Sequence, residues 1–262
     1  YEALLESNIG SNDLECVKSV ICGGDALNTT LRDKVNDFLQ AHGSNAKIRV
    51  GYGLTEATGA CCLTPDNVFE DNIIGMPLPD TYIKIVIPDT HETAPVGEDG
   101  EICVSGPLVM MGYVNDDAET MQALRYHEDG KLWLHTGDVG HLGEDGLIYF
   151  SQRIKRIIVS SGYNIYPTYL ESIINSHEAV LTSTVIGIPH SYKGQVAKAF
   201  IVLKDGYTEK GKIEKEIKVL LAKNVAKYSL PYEYEFRDKL PKTLIGKVAF
   251  KELEKEEQEK HK

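Results

Sequence analysis

HTGDVGHLGEDGLIYFSQRIKRIIVSSGYNIYP, residues 135–167, decides how the chain divides. It opens with the polar turn Thr136-Gly137-Asp138, and a second turn, Gly143-Glu144-Asp145-Gly146, follows. The apolar run Leu147–Phe150 then reads as a strand. Arg153, Lys155 and Arg156 interrupt an otherwise apolar segment before Ser160-Ser161-Gly162. Three cations beside an apolar strand are costly unless they meet anions. A solvated edge would account for them, and so would a polyanion site.

Upstream, Val17–Ile21 is a β-branched run that ends in Cys22-Gly23-Gly24-Asp25. The spacing of Leu31, Val35, Phe38 and Leu39 predicts a helix from Asn28 or Thr29 to Gly43. Lys47–Val50 predicts a second strand, running into the Gly-rich turn Gly51-Tyr52-Gly53-Leu54-Thr55-Glu56. A right-handed strand–helix–strand unit puts both glycine-rich turns at the carboxyl edge of a parallel sheet, where open α/β sheets bind ligands. From Asn72 to Val114 the texture becomes short strands between Pro and Gly turns, notably Tyr82–Ile87 and Glu101–Val104, as in a small antiparallel sheet or barrel. Ala118–Leu124 predicts a short helix.

Downstream, a short helix after Pro167 turns Leu170, Ile173 and Ile174 inward. Strands are expected over Val180–Ile188 and Ala197–Leu203. Thr208 is read as the cap of a longer helix carrying Ile213, Ile217, Leu220, Leu221 and Val225. Alternating Tyr232, Tyr234 and Phe236 predict a half-buried strand. The charged tail from Lys251 reads as a solvated helix face or disorder. The chain is therefore two bodies: an α/β body with a β-rich extension ending near Phe150, and a smaller α+β body from near Ile157.

A net charge of −11 argues against bulk attraction to nucleic acid or anionic membrane. No apolar run approaches a membrane span, and no signal-peptide pattern opens the chain. Five cysteines without a CxxC pair speak against a disulfide framework or zinc site and for a reducing cytoplasm. Cys61-Cys62 reads as two small buried residues. Gly246-Lys247 is not a P-loop, because the earlier glycine is missing and Val248 replaces Ser or Thr. Lys247 thus lies in a Pro- and Gly-marked loop, where lysines are usually solvated. Asp138 suits a turn equally well. The residues alone point to a carboxyl-edge nucleotide site beside a cation-rich joint.

GYGLTE (51–56), GEICVSGPLVMMGYV (100–114), TGD (136–138), RIKRIIVSSGYNIYPTYLE (153–171) and PKTLIGKV (241–248) occur in one order across nearly the whole chain. In this the chain resembles the adenylate-forming superfamily, which comprises acyl-CoA synthetases, peptide-synthetase adenylation domains and luciferases. The resemblance implies a two-step, ATP-dependent reaction: a carboxylic acid becomes an acyl-adenylate, and coenzyme A then takes the acyl group. Thr55 and Glu56 correspond to the residues for phosphate and Mg²⁺, a hard cation that takes oxygen ligands. Gly23, Gly24 and Asp25, with Gly51, Tyr52 and Gly53, correspond to the walls around adenine and acyl phosphate. Asp138 corresponds to the ribose ligand and Arg153 to a second ribose contact. Lys247 corresponds to the catalytic lysine and Lys155 to the hinge, within 154–156, about which the small domain rotates. Gly162 corresponds to a glycine beside the pantetheine tunnel. The domains implied are 1–153, with an α/β sheet part (1–75) and a β-rich part (76–150), and 157–262.

Peptide-synthetase domains usually read YGPTE and GxRIEL where this chain reads GYGLTE and GYNIYP. That favours a free-standing acyl- or aryl-CoA ligase, with fatty acid the first choice of substrate. Loading of a carrier protein, a luciferase-like oxygenase and a degenerate binding homologue are the alternatives. The family's upstream loop for the β- and γ-phosphates has no counterpart here, and the first residue is Tyr1. Both imply the C-terminal part of a longer enzyme, inactive by itself.

Overall fold

A computed structural model describes every residue except Asp25, Ala26, Asn28, Asn67, Phe69, Asp71, Asp89, Leu244, Ile245, His261 and Lys262. The chain forms two compact units, Tyr1–Ser151 and Gln152–Lys262. Both mix helix and sheet.

In the first unit, a short helix α1 (Glu2–Leu5) precedes strand β1 (Val20–Gly23), helix α2 (Thr29–Ala41) and strand β2 (Ile48–Leu54). β1 and β2 are parallel, with Val20 opposite Ile48 and Gly23 opposite Gly51. Val35 and Leu39 of α2 bury against Ile48, as the helical spacing predicts. Gly43, at φ +90°, lies just beyond the helix end. The following strands are β3 (Gly59–Leu63), β4 (Ile73–Pro77), β5 (Tyr82–Val86) and β6 (Gly100–Ser105). Helix α3 (Asp117–Ala123), β7 (Leu124–Tyr126), β8 (Leu132–Leu142) and β9 (Ile148–Arg153) follow, the last two residues of β9 falling beyond Ser151. One sheet runs β1-β2-β3-β4-β9-β8-β6-β5, with β7 beside β8. Every pairing after β1–β2 is antiparallel. Ile74, Ile85, Ile102, Val104, Leu134 and Ile148 form one buried cluster with Cys61 and Cys62. Both vicinal cysteines are inaccessible and all five are free thiols.

Two readings need correction here. Gly51–Leu54 is strand, not turn. Its glycines answer to close approach: a Cβ on Gly53 would lie 1.8 Å from the Gly59 carbonyl oxygen, where the β2–β3 register shifts. The first strand also begins at Val20 rather than Val17.

The second unit contains strands β10 (Ile158–Ser160) and β11 (Tyr163–Ile165), then helix α4 (Pro167–Asn175). Strands β12 (Val180–His190) and β13 (Gly194–Leu203), helix α5 (Lys210–Asn224), strand β14 (Glu233–Phe236) and helix α6 (Phe250–Lys260) follow. β12 and β13 pair along their whole length, and β14 joins β13 in parallel. Period-2 alternation explains the layering. Val185, Ala197, Ala199 and Ile201 pack with Leu170, Ile174, Ile213, Ile217 and Leu221 of α4 and α5. Ile186, Ile188, Val196, Phe200 and Val202 pack with Leu253 of α6 on the other face.

Thr208 is not the helix cap. Glu209 holds that position, without a side-chain bond, and Val225 falls outside the helix. The charged tail is not a solvated face either: Leu253 and Glu257 of α6 are buried. Among the described residues, no helix is long and apolar enough to cross a membrane.

Candidate functional site

Asp138 stands on β8 with 2% of its surface exposed. The Tyr52 hydroxyl on β2 donates to its Oδ2 at 2.8 Å. β2 and β8 are four strand steps apart in the sheet order, or roughly 19 Å across a flat sheet at about 4.8 Å per step. The bond therefore requires the sheet to curl, which also encloses the cluster around Ile102 and Leu134. Burial, with the nearby Asp138 charge, pushes the Tyr52 phenol far above its usual range, so it stays a proton donor. The turn before Asp138 is fixed in turn. Thr136 donates to the Ile102 carbonyl at 2.7 Å and accepts from the Asp138 N–H at 3.1 Å. Gly137 has φ +70°, which a side chain would strain.

β2 leads directly into a 3₁₀ turn, Thr55–Ala57, closed by Thr58 at φ +52°. Ala57 is buried, Thr55 is exposed and Glu56 is half-buried. The Tyr113 hydroxyl donates to Glu56 Oε1 at 2.7 Å, and the Met110 N–H donates to the Glu56 carbonyl at 2.8 Å. That bond to Glu56, together with burial, pushes the Tyr113 phenol up to about 12. Thr120 of α3 anchors Tyr113 in turn, accepting its N–H at 2.9 Å. A carboxylate and a hydroxyl on one exposed turn supply the oxygen donors that suit a hard cation and phosphate. Tyr113 carried no role in the sequence; it lies 57 residues from Glu56, beyond any local pattern.

Gly23, the last residue of β1, sits beside Gly51 in the middle of β2. A Cβ on Gly23 would stand 3.1 Å from the Gly51 carbonyl oxygen. Gly24 follows at φ +87°. Asp25 lies outside the described residues.

The remaining candidates belong to the second unit. Arg153 and Lys155 are exposed, and Lys155 lies in the 3₁₀ turn Ile154–Arg156. Arg156 has a structural partner: it pairs with Glu171 of α4 and stacks over Phe250 at 4.9 Å. The three cations therefore do not act as one polyanion site. Ser161 at φ +51° and Gly162 at φ +83° form the two-residue turn between β10 and β11. Positive φ at both positions is what a tight hairpin turn of this kind demands. Lys247 is exposed, next to an isolated antiparallel bridge. Lys242 pairs with Val248, and the Thr243 N–H donates to the Lys247 carbonyl at 2.7 Å.

A parallel unit continuing into a curled antiparallel sheet, with a buried Asp held by a Tyr, followed by a smaller α+β unit, defines the class: adenylate-forming enzymes. The model of the AMP-binding enzyme matches residues 1–114, and that of the AMP-binding enzyme C-terminal domain matches 169–247. The chain belongs to the AMP-binding enzyme family. A long-chain-fatty-acid–CoA ligase of Bacillus subtilis is 40% identical over 252 residues, 95% of this chain and 42% of that protein. ATP-bound MatB from Rhodopseudomonas palustris has TM-score 0.80 and 28% identity, covering 92% of this chain and 46% of its own. o-Succinylbenzoate CoA synthetase of Bacillus subtilis, in complex with its acyl-adenylate intermediate, gives TM-score 0.79 and 28% identity, covering 96% and 48%. The chain thus spans less than half the length of each of these.

Proposed function

We propose that the whole protein carrying this chain is an ATP-dependent acid–coenzyme A ligase, with a fatty acid as substrate. In the first step a carboxylate oxygen bonds to the α-phosphorus of ATP and pyrophosphate leaves. In the second, the thiol of coenzyme A gives up its proton, its sulfur bonds to the acyl carbon, and AMP leaves. The observation that carries this reading is the buried Asp138, oriented by a phenol that stays protonated. A carboxylate so held can accept both hydroxyls of a ribose. The 40% identity to a long-chain-fatty-acid–CoA ligase supports the choice of acid.

The other roles follow from residue chemistry. Thr55 would meet phosphate oxygens. Glu56, steadied by Tyr113, would hold a magnesium ion, whose charge would offset that of the phosphates. Gly23, Gly24, Gly51 and Gly53, with the backbone of Tyr52, would form a wall without side chains against the nucleotide. Arg153 would be the second ribose contact. Lys247 would neutralise charge building on the α-phosphate. Lys155, on its 3₁₀ turn, would be the pivot that brings Lys247 in for the first step and the Ser161-Gly162 turn in for the second. Five free thiols support a reducing compartment, and the cytoplasm is the compartment this reading favours.

Lys247→Ala in the whole protein tests the assignment. Pyrophosphate release with a long-chain acid should fall by roughly 10²–10³, the usual loss for one preorganised contact to transition-state charge. An unchanged rate would remove Lys247 from the mechanism.

A further inference from the structure

Behind the Thr136–Asp138 turn lies a chain of buried and half-buried polar side chains that none of these roles uses. Glu101 and Cys103 are two residues apart on β6, and Cys103 is the register partner of His135 on β8. Glu101 employs both oxygens. Oε1 accepts from the Gly137 N–H at 2.9 Å, and Oε2 accepts from His135 Nδ1 at 2.7 Å. One carboxylate thus clamps the residues on either side of Thr136, ending one position short of Asp138.

The clamp also fixes proton positions. In the tautomer that carries its proton on Nδ1 and donates it to Glu101, His135 offers Nε2 as an acceptor, 3.0 Å from Nε2 of His127. His127 must then carry its proton on Nε2, and its Nδ1 accepts from the Lys84 ammonium at 3.2 Å. Burial, followed by the Lys84 charge, holds His127 down at about 4, so it stays neutral near pH 7. Burial works against the Glu101 charge, yet the His135 and Gly137 bonds hold it below the usual carboxylate range. Asp129 faces Lys84, His91 stacks on His127, and the Arg125 charge also favours ionised Glu101. Hydrogen bonds therefore run unbroken from Lys84 to Gly137, with Asp129 as a second acceptor for Lys84 at 3.2 Å and Cys103 Sγ 3.6 Å from His135 Nδ1. Glu101, Cys103 and His135 do bring three donor atoms within 4.8 Å of one another. The carboxylate and imidazole are already bonded together, however, and burial pushes the Cys103 thiol far up. Both oxygens of Glu101 are already engaged, by Gly137 and His135.

We propose that Glu101 is a positioning residue for nucleotide binding: its two-pronged bond to His135 and Gly137 locks the turn that presents Asp138 to the ribose. This rests on the ribose assignment above. Glu101→Gln in the whole protein keeps the shape but leaves one acceptor oxygen for two donors. The KM for ATP should rise about tenfold, equivalent to about 1.4 kcal/mol, with kcat and the KM for the acid nearly unchanged. With 2′,3′-dideoxy-ATP, which lacks the hydroxyls Asp138 would accept, variant and parent should agree within about twofold.

Asp138→Asn is measured alongside. If it leaves discrimination between ATP and the dideoxy analogue intact, the ribose assignment falls and this proposal with it. If Asp138→Asn abolishes discrimination while Glu101→Gln preserves it, the positioning role alone falls. Equal losses with both nucleotides in Glu101→Gln would make the residue merely structural, which also overturns the proposal. Should Glu101→Gln fail to fold, a His135 pair asks the same question. His135→Asn, whose amide nitrogen can still donate to Glu101, should retain discrimination, and His135→Leu should lose it; any other pattern refutes the clamp.

Discussion

Glu101 in the first unit and Glu257 in the second are both carboxylates withdrawn from water, and their partners differ in kind. Glu101 meets a backbone N–H and an imidazole. Glu257, 1% exposed, meets Lys198 at 2.9 Å and Lys260 at 2.6 Å. Lys198, itself 6% exposed, also faces Glu233 at 3.2 Å and Glu235 at 3.0 Å, and Arg237 ties Glu235 to Glu256. The first arrangement directs: donors at fixed angles aim a turn while its charge is kept. The second fastens: alternating charges bind α6 to β13 and β14. Buried charge therefore has two uses in one chain, and the type of partner tells them apart.

Lys198→Met tests the fastening most severely. It strips Glu257 of its inward counter-ion, which typically costs about 3–5 kcal/mol. Hydrogen exchange should show α6 losing protection while the first unit is unaffected. Lys198→Met with Glu257→Leu should regain most of that loss, because a well-packed apolar pair needs no charge compensation. A single variant as stable as the parent would end the distinction.

Acid should separate the two uses next. Burial opposes ionisation of Glu235 and Glu257, but their cationic partners prevail and hold both below the usual carboxylate range. The folded state thus prefers them charged. Their contribution is complete above about pH 4.3, the unfolded value, and is lost as pH falls through the lower folded values. Lys198 is shifted upward against its burial by Glu257, Glu235 and Glu233, so its contribution is lost only at strongly alkaline pH. Protection of α6 should be flat from pH 5 to 9 and drop below about pH 4, as read by exchange at matched intrinsic rates.

The mildest expected effect is that of Lys84→Met. The Lys84–Asp129 pair is partly solvated, and pairs of that kind contribute about 0–1 kcal/mol. The lost donor to His127 adds a comparable amount. A loss of about 1 kcal/mol in urea unfolding, against the larger loss for Lys198→Met, would place the first unit's cation at the rim of its network. A loss as large as that for Lys198 would mean that both units rely on counter-ions alike.

Much of the scaffold is legible from residues close in sequence. Leu170, Ile173 and Ile174 declare the buried face of α4, and the short strands between Pro and Gly turns after Tyr82 declare the β5–β6 pair. What escapes is set by distant neighbours. Gly51–Leu54 looks like a turn because glycine often makes one, yet the need for Gly53 comes from the backbone of β3. The Arg156 side chain looks like part of a cationic patch until Glu171 and Phe250 fold against it. Asp138 is recognisable from its motif, but its orienting hydroxyl comes from Tyr52, 86 residues away. Glu101 and His135 are 34 residues apart, and each alone reads as an ordinary strand residue. Leu253 and Glu257 are one helical turn apart on the buried face of α6. Two apolar residues, Phe250 and Leu253, among so many charges are too few for a periodic signal.

That last helix bears on how the protein can be handled. By composition, everything from Lys251 onward looks like a tail that a cloning boundary or a protease could remove without harm. A cut there would take away Leu253, uncovering part of the cluster of Ile186, Ile188 and Phe200, and would leave Lys198 without Glu257. A shortened preparation would then be sticky and poorly soluble for reasons unrelated to ATP or fatty acid, and its inactivity would say nothing about either.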